Sequence, residues 1–306
     1  MIGAIDIGGT KIAIGLFEQN GKLVAQNAFP TQPERAWDEA LKEIRTLLVQ
    51  LQKQTGTELE GIGIGCTGPV DPFAGKLLHV DFLPRWEGAE IVSDLAGHFG
   101  VPVALENDAD AAALGEYTWG AGQGRRTFLF VTVSTGIGAG LIVDGKIYRG
   151  LDGFHPEIGH HIIDPSGPLC SCGAHGCWES LASGPAMAQW FVENTPSDHH
   201  GPEPVTAQSI CERHDVYAQK AIEREGHYLG IGLANMITIF TPEVIALGGG
   251  LMRSRHLFWD TIQKTIANAC GLVPAEKVII VPASLGAHTG LYGACSVWLN
   301  RFQTTY

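Results

Sequence analysis

Two stretches of this 306-residue chain spell out the same unit, and that repetition limits the fold more than any other feature. The apolar run over residues 2–7 leads into the turn Gly8-Gly9-Thr10-Lys11, a second run over residues 12–17, then Asn20-Gly21-Lys22 and a third run. Later, residues 128–133 lead into Ser134-Thr135-Gly136-Ile137-Gly138, a run over 140–143, Asp144-Gly145-Lys146 and Ile147-Tyr148. Asn-Gly and Asp-Gly between alternating apolar runs are strong signals for tight hairpins. Each copy therefore reads strand, Gly-rich turn, strand, hairpin, strand. The expectation is a duplicated domain whose two Gly-rich turns face each other across a cleft. At roughly 150 residues per domain, the length accommodates two such units.

Between the copies, residues 34–54 carry helical apolar spacing at Trp37, Ala40, Leu41, Ile44, Leu47, Leu48 and Leu51. Residues 61–65 and 101–105 read as buried strands, and Asn107 opens a capped helix directly after the second. Residues 194–205 read as a surface loop. Helices are expected at 217–239, 256–270 and 290–302, with strands at 244–247 and 278–281. Strands alternating with helices place the chain in the α/β class.

Composition excludes several functions. The net charge of −12 argues against a nucleic-acid partner, whose binders concentrate Lys and Arg. No apolar run reaches the roughly 18 residues that span a bilayer, and the first residues show no basic, cleavable leader. The expected location is the cytoplasm, with no membrane partner. Four of the seven cysteines, Cys66, Cys211, Cys270 and Cys295, stand in apolar surroundings and are expected to pack as small core residues.

Several motifs carry chemistry. Asp6-Ile7-Gly8-Gly9-Thr10-Lys11 ends a strand with a carboxylate suited to Mg²⁺ or its water shell. Its glycine N–H groups, Thr10 hydroxyl and Lys11 ammonium suit phosphate oxygens. The spacing of a P-loop is absent, and a strand follows where a helix would be needed. The turn through Thr135 and Gly136 superficially matches a dinucleotide fingerprint, yet a strand and hairpin follow here too, so a second phosphate-cradling turn fits better. Gly248-Gly249-Gly250 at a strand end either makes a tight strand–helix turn or lets a nucleotide base or ribose lie against backbone. Glu106-Asn107-Asp108 at a strand–helix junction either caps the helix or offers Asp108 as acceptor of a proton from an attacking hydroxyl, an effect worth roughly 10²–10⁴-fold in rate.

The strongest signal is Cys170, Cys172 and Cys177 within eight residues, following Glu157-Ile158-Gly159-His160. Three thiolates and one imidazole fill a tetrahedral Zn²⁺ shell and leave no open position for water, so the site reads as structural. Cys170 and Cys172 stand too close in sequence for a comfortable disulfide. His160 leads as fourth ligand, ahead of His161 and His175. Glu157 and Glu179 then flank the metal, held rigidly enough to hydrogen-bond vicinal hydroxyls such as those of a sugar ring.

Together these residues resemble the ROK family of bacterial sugar kinases and sugar-responsive repressors across nearly the whole chain. The resemblance rests on residues 6–11, Gly65-Cys66-Thr67-Gly68-Pro69-Val70-Asp71, Glu106-Asn107-Asp108, the stretch 136–160 through Gly150, Pro156, Gly159 and His160, and the cluster 170–179. It implies an actin-like, hexokinase-type fold of two domains on ribonuclease-H-like cores, with a zinc loop. The small domain is expected over 1–118 plus 290–306, and the larger over 119–289. The resemblance puts the catalytic base on Asp108, and sugar contacts on Gly68, Asn107, Asp108, Glu157, His160 and Glu179. Zinc ligands fall on His160, Cys170, Cys172 and Cys177, with the second ring nitrogen of His160 left for sugar. Phosphate and Mg²⁺ contacts fall on Asp6, Gly8, Gly9, Thr10, Lys11, Thr135 and Gly136, and nucleotide contacts on Gly248 and Gly249.

The implied activity is ATP-dependent phosphorylation of the 6-hydroxyl of glucose, with Mg²⁺. N-acetylmannosamine or N-acetylglucosamine comes second, then fructose or mannose. Many glucose-type members carry an Asn before Leu-Pro-x-Trp, where this chain reads Phe82-Leu83-Pro84-Arg85-Trp86 and loses a possible amide contact; an acetamido group needs an apolar pocket beside the sugar 2-position, which Pro69, Phe82 or Trp86 would either provide or block. The repressors of the family resemble this chain but carry a helix-turn-helix domain ahead of the first motif, which here begins at residue 6. A non-catalytic sugar-binding relative is a third class, disfavoured by Asp108 and Lys11. The family resemblance also implies a homodimer or tetramer.

Overall fold

The computed structural model of the chain describes residues 1–80 and 83–303, so Phe82 lies outside the described residues. The chain divides into two compact units, one of Met1–Arg126, Gly140–Pro156 and Ala283–Tyr306, the other of Thr127–Ala139 and Glu157–Pro282. It opens with strands β1 (Ile2–Ile7), β2 (Lys11–Phe17) and β3 (Leu23–Pro30), then helix α1 (Trp37–Thr55) and strand β4 (Gly61–Cys66). A short hairpin, β5 (Val70–Asp71) and β6 (Lys76–Leu77), precedes α2 (Ile91–Phe99), β7 (Val103–Asn107) and α3 (Asp108–Trp119). From Thr127 follow β8 (Thr127–Val133), β9 (Ile137–Val143), β10 (Lys146–Ile147), α4 (Trp178–Ala182), α5 (Gly184–Asn194), α6 (Ala207–Cys211) and α7 (Val216–Phe240). The last elements are β11 (Val244–Gly248), α8 (Arg255–Ala269), β12 (Ile279–Pro282) and α9 (Thr289–Phe302).

The repetition seen in sequence is a repetition of topology. One five-stranded sheet has the order β3-β2-β1-β4-β7 and the other β10-β9-β8-β11-β12. In the first, β1–β2 and β2–β3 are antiparallel while β1–β4 and β4–β7 are parallel. In the second, β9–β10 is antiparallel, and β11 runs parallel to β8 and to β12.

Alternation along β1 and β2 sorts the first unit into layers. Ile5 and Ile7 join Ile12, Ile14 and Leu16 in a core closed by Leu41, Ile44, Leu48 and Leu51 of α1. Ile2, Ala4, Ala13 and Phe17 point to the opposite face and pack on Leu291, Ala294, Cys295 and Trp298 of α9. On β4 the alternate residues facing this second layer are Gly61, Gly63 and Gly65. A Cβ there would run into Trp298, the Ala294 carbonyl and Ala111 respectively, so these positions seat α9 and α3 directly on the strand backbone.

Boundaries moved where backbone chemistry overrode pattern. Helix α1 starts at Trp37, not residue 34, because Ala36 stays extended at ψ 155°. Strand β7 starts at Val103, after Gly100 has capped α2 at φ +67° and Pro102 has passed without an N–H to give. Helices α2, α4, α5 and α6 went unread in the sequence. Cys66, Cys270 and Cys295 are buried as expected, but Cys211 is only half-buried, because it ends the short helix α6. Among the described residues no helix is long and apolar enough to cross a membrane.

Candidate active site

In the first unit the expected residues gather at the carboxyl ends of the parallel strands, where open α/β sheets bind ligands. Asp6 closes β1 on the same face as Ile2 and Ala4, and its carboxylate abuts the backbone of Gly290 in α9, where a Cβ would collide with it. Burial pushes the Asp6 carboxyl up to about 7; the charge of Asp108 adds to the rise and Lys11 opposes it. The same two carboxylates, after burial itself, raise the Cys66 thiol. A buried carboxylate raised in this way suits a hard divalent cation such as Mg²⁺, which would offset its charge.

The turn after β1 is closed by Gly8 N–H donating to Lys11 O at 3.0 Å. Thr31 pins it from β3's end, donating its Oγ1 hydroxyl to Gly8 O at 2.6 Å and its N–H to Thr10 O at 3.0 Å. Thr10 and Lys11 stay exposed. A cavity of about 350 Å³ opens beside Asp6 and Lys11, lined also by Gln26, Asn27 and His288. Nothing in the sequence motifs singled out those last three residues. They come from β3 and the approach to α9, and only the folded sheet brings them here.

Asn107 and Asp108 stand where β7 becomes α3. Asn107 Oδ1 accepts from Ala109 N–H at 2.8 Å and Asp110 N–H at 3.4 Å, so the capping role considered in the sequence is real. Its amide nitrogen remains available and faces Gly68, where an added Cβ would lie 3.1 Å from it. Asp108 is the first residue of α3, and its Oδ1 accepts from Ala109 N–H at 2.9 Å. The cap of α3 thus belongs to Asn107, one residue before Asp108.

The second unit assembles the other group. Ser134 N–H donates to Gly136 O at 2.9 Å, closing the second Gly-rich turn. Gly249, at φ +90°, lies on the backbone of Val133, with an added Cβ only 2.6 Å from Val133 N. The triglycine turn and the Thr135–Gly136 turn are therefore neighbours. Ile137 N–H donates to Glu179 Oε2 at 2.8 Å, and Gly159 packs on the Ile137 carbonyl. Glu179 was expected only beside sugar and metal; it also braces the phosphate-type turn, a contact no spacing rule reveals. Glu157 is exposed just before the short 3-10 turn Ile158–His160.

His160, Cys170, Cys172 and Cys177 place one ligand atom each within 4.8 Å of all the others. Cys170 Sγ lies 3.4 Å from His160 Nδ1, and Cys172 Sγ lies 3.5 Å from Cys177 Sγ. Tetrahedral Zn–S and Zn–N bonds of about 2.0–2.3 Å call for edges near these values, whereas a disulfide needs about 2.05 Å. This Cys₃His set can hold a metal ion, and its chemistry fits zinc. His161 and His175 are engaged elsewhere: His161 Nδ1 with Ile158 O at 2.6 Å, and His175 Nδ1 with Gly167 O at 3.2 Å. Trp86, considered for the sugar pocket, is fully buried on the α1 side, donating Nε1–H to Arg35 O at 3.0 Å. It is a core residue.

The raised Asp6 gives a test of the geometry. A carboxyl whose folded pKa exceeds its unfolded one binds more protons in the folded state, so it destabilises progressively as pH rises from about 4 to about 7. Asp6→Asn removes that burden. Thermal unfolding of the ligand-free protein should show the variant gaining several °C more over the parent at pH 8 than at pH 5. Equal gains at both pH values would contradict the buried, charge-crowded setting of this carboxylate.

The chain matches the model of the ROK family over residues 2–301. It is 32% identical to the glucokinase of Streptomyces coelicolor over 312 residues, covering 96% of both chains. Its fold is similar to that of a ROK hexokinase from Thermus thermophilus, with a TM-score of 0.85, 32% identity and 98% of both chains covered. A ROK family glucokinase from Streptomyces griseus, in complex with glucose and AMPPNP, gives a TM-score of 0.80 at 31% identity, covering 96% of this chain and 97% of that one. On the duplicated sheets, the two Gly-rich turns and the Cys₃His cluster, and on a match that runs almost end to end, this chain belongs to the ROK family.

Proposed function

We propose that the protein is an ATP-dependent hexose kinase that transfers the γ-phosphoryl group of ATP to the 6-hydroxyl of glucose, giving glucose 6-phosphate and ADP. The observation that carries this reading is Asp108 at the first position of α3, close enough to Asp6 at the end of β1 to raise its pKa. Likeness to the Streptomyces coelicolor glucokinase, and to the Streptomyces griseus one that holds glucose and AMPPNP, supports it.

Asp108 accepts the proton of the sugar O6 as O6 attacks the γ-phosphorus, and the bond to the β–γ bridging oxygen breaks with its electrons leaving on ADP. Gly9, Thr10 and Lys11, together with Thr135 and Gly136, donate to phosphate oxygens, while Gly8 shapes the first turn through its N–H on Lys11 O, and Gly248 and Gly249 lie against the nucleoside. Asp6 would hold Mg²⁺, which supplies charge neutralisation at the phosphates. Glu157, Glu179, His160 through its second ring nitrogen, Gly68 and the Asn107 amide position the sugar. His160, Cys170, Cys172 and Cys177 would hold zinc, which supplies a cross-link where the loop has little core of its own.

The product identifies the reaction: phosphorus–proton correlation NMR should place the new phosphate on O6 of glucose, with one ADP per sugar ester. Phosphate at O1, or ADP without a sugar ester, would overturn the reading. Asp6 must also lose its proton to take Mg²⁺, so the Mg²⁺ concentration giving half-maximal rate should rise about tenfold for each pH unit below about 7. A pH-independent Mg²⁺ requirement between pH 6 and 7 would remove Asp6 from that role.

A further inference from the structure

Acids flank Asp108 at two-residue spacing, Glu106 before it and Asp110 after it. Both are buried, at 8% and 2% exposure. Each meets a base carried by one short segment that follows β10: Arg149 pairs with Glu106, and His155 Nδ1 lies 2.9 Å from Asp110 Oδ2. Between those two contacts the segment stands outward, with Leu151 at 83% exposure. Gly153 backs onto the Phe73 ring, over which the Arg149 guanidinium also sits at 5.8 Å. Asp110 Oδ1 is buried with no hydrogen-bond partner, so backbone capping does not account for this carboxylate.

A buried polar pair is a poor way to gain stability, because desolvation of both groups roughly cancels their attraction. An apolar pair would hold the segment against α3 as firmly. What polar partners add is a single preferred arrangement, since any slip leaves each of them buried without its partner. The segment so fixed runs straight into Glu157, two residues past His155, and the helix start it is fixed to carries Asp108 two residues before Asp110.

We propose that Asp110 and His155 form a positioning pair, which fixes the segment after β10 against the helix start bearing Asp108 and thereby sets the aim of Asp108 at the sugar 6-hydroxyl. This rests on the reading above, in which Asp108 and Glu157 serve the sugar. Neither Asp110 nor His155 touches the reacting atoms.

Steady-state kinetics in both substrates, alongside thermal unfolding, test the pair. His155→Ala is expected to lower kcat/KM for glucose about tenfold to a hundredfold, with the KM for ATP within about twofold of the parent. Because it leaves Asp110 buried and unpaired, the double variant Asp110→Asn/His155→Ala removes the stranded charge; it should regain stability and keep the glucose defect. Asp110→Asn/His155→Gln, which can rejoin the two side chains by a neutral hydrogen bond, should bring kcat/KM for glucose back to within about threefold. The pair has no positioning role if Asp110→Asn/His155→Ala shows parental glucose kinetics, or if glucose and ATP parameters fall equally. Asp108→Asn and Glu157→Gln measured in the same series separate the two levels. Parental kinetics in those variants would overturn the underlying assignment, whereas losses there without losses at 155 would overturn this inference alone.

Discussion

Asp108→Asn should lower kcat with glucose and ATP by about 10²–10⁴-fold while leaving the KM for glucose within a few-fold. The substitution removes proton-accepting capacity and one negative charge while keeping the side chain's shape. The cap of α3 belongs to Asn107, and an asparagine Oδ1 at 108 can still accept from Ala109 N–H, as the carboxylate does at 2.9 Å. Stability should not fall. Asp108 is one of the charges that raise Asp6, so neutralising it relieves crowding, and the melting temperature at pH 8 should hold or rise. Lost turnover with retained or improved stability marks a group kept for chemistry at a cost to the fold. Glu106, the other carboxylate at this junction, makes a poor substitute base because it is buried against Arg149. A folded Asp108→Asn protein with near-parental kcat would move the base elsewhere.

The second large effect is expected at the zinc loop. Metal analysis of the purified protein should give one zinc per chain, and Cys172→Ser should lower that content and raise the KM for glucose at least tenfold. Structural zinc sites of this donor type contribute on the order of 10 kcal/mol to the structure they close, so losing one ligand of four is severe. The damage should also reach ATP. Cys177 leads directly into α4, whose Glu179 holds Ile137 N–H at 2.8 Å, and Gly159 beside His160 packs on the Ile137 carbonyl. Both sides of the second Gly-rich turn thus lean on residues next to the Cys₃His cluster. Cys211→Ser, at a half-buried thiol outside the cluster, serves as control and should change neither zinc content nor kinetics. Full activity in zinc-free protein would show that the loop holds its shape without the ion.

What could be read in the sequence was whatever depends on near neighbours. Period-two apolar runs and the two Gly-rich turns announced both sheets, since strand alternation and hairpin chemistry are local. The three cysteines and His160 were legible because ligand chemistry restricts spacing. Contacts between distant segments were not legible. The Gly-Ile-Gly-Ile-Gly run looked like a plain buried strand, yet its glycines seat α9, which lies more than two hundred residues later. Trp86, one of three residues that could provide or block a pocket beside the sugar 2-position, is core, with its indole N–H satisfied by Arg35 O. The ties from Glu179 to Ile137, Arg149 to Glu106 and His155 to Asp110 each join residues whose spacing follows no local rule. They surround the very motifs that were recognised.

The most direct measurement is ADP release by the purified protein with ATP and Mg²⁺, for glucose beside N-acetylmannosamine, N-acetylglucosamine, fructose and mannose. Discrimination among them is the ratio of their kcat/KM values. Glucose should give the highest kcat/KM, well above any sugar-free ATP hydrolysis. Release at the sugar-free rate with all five would contradict hexose phosphorylation outright.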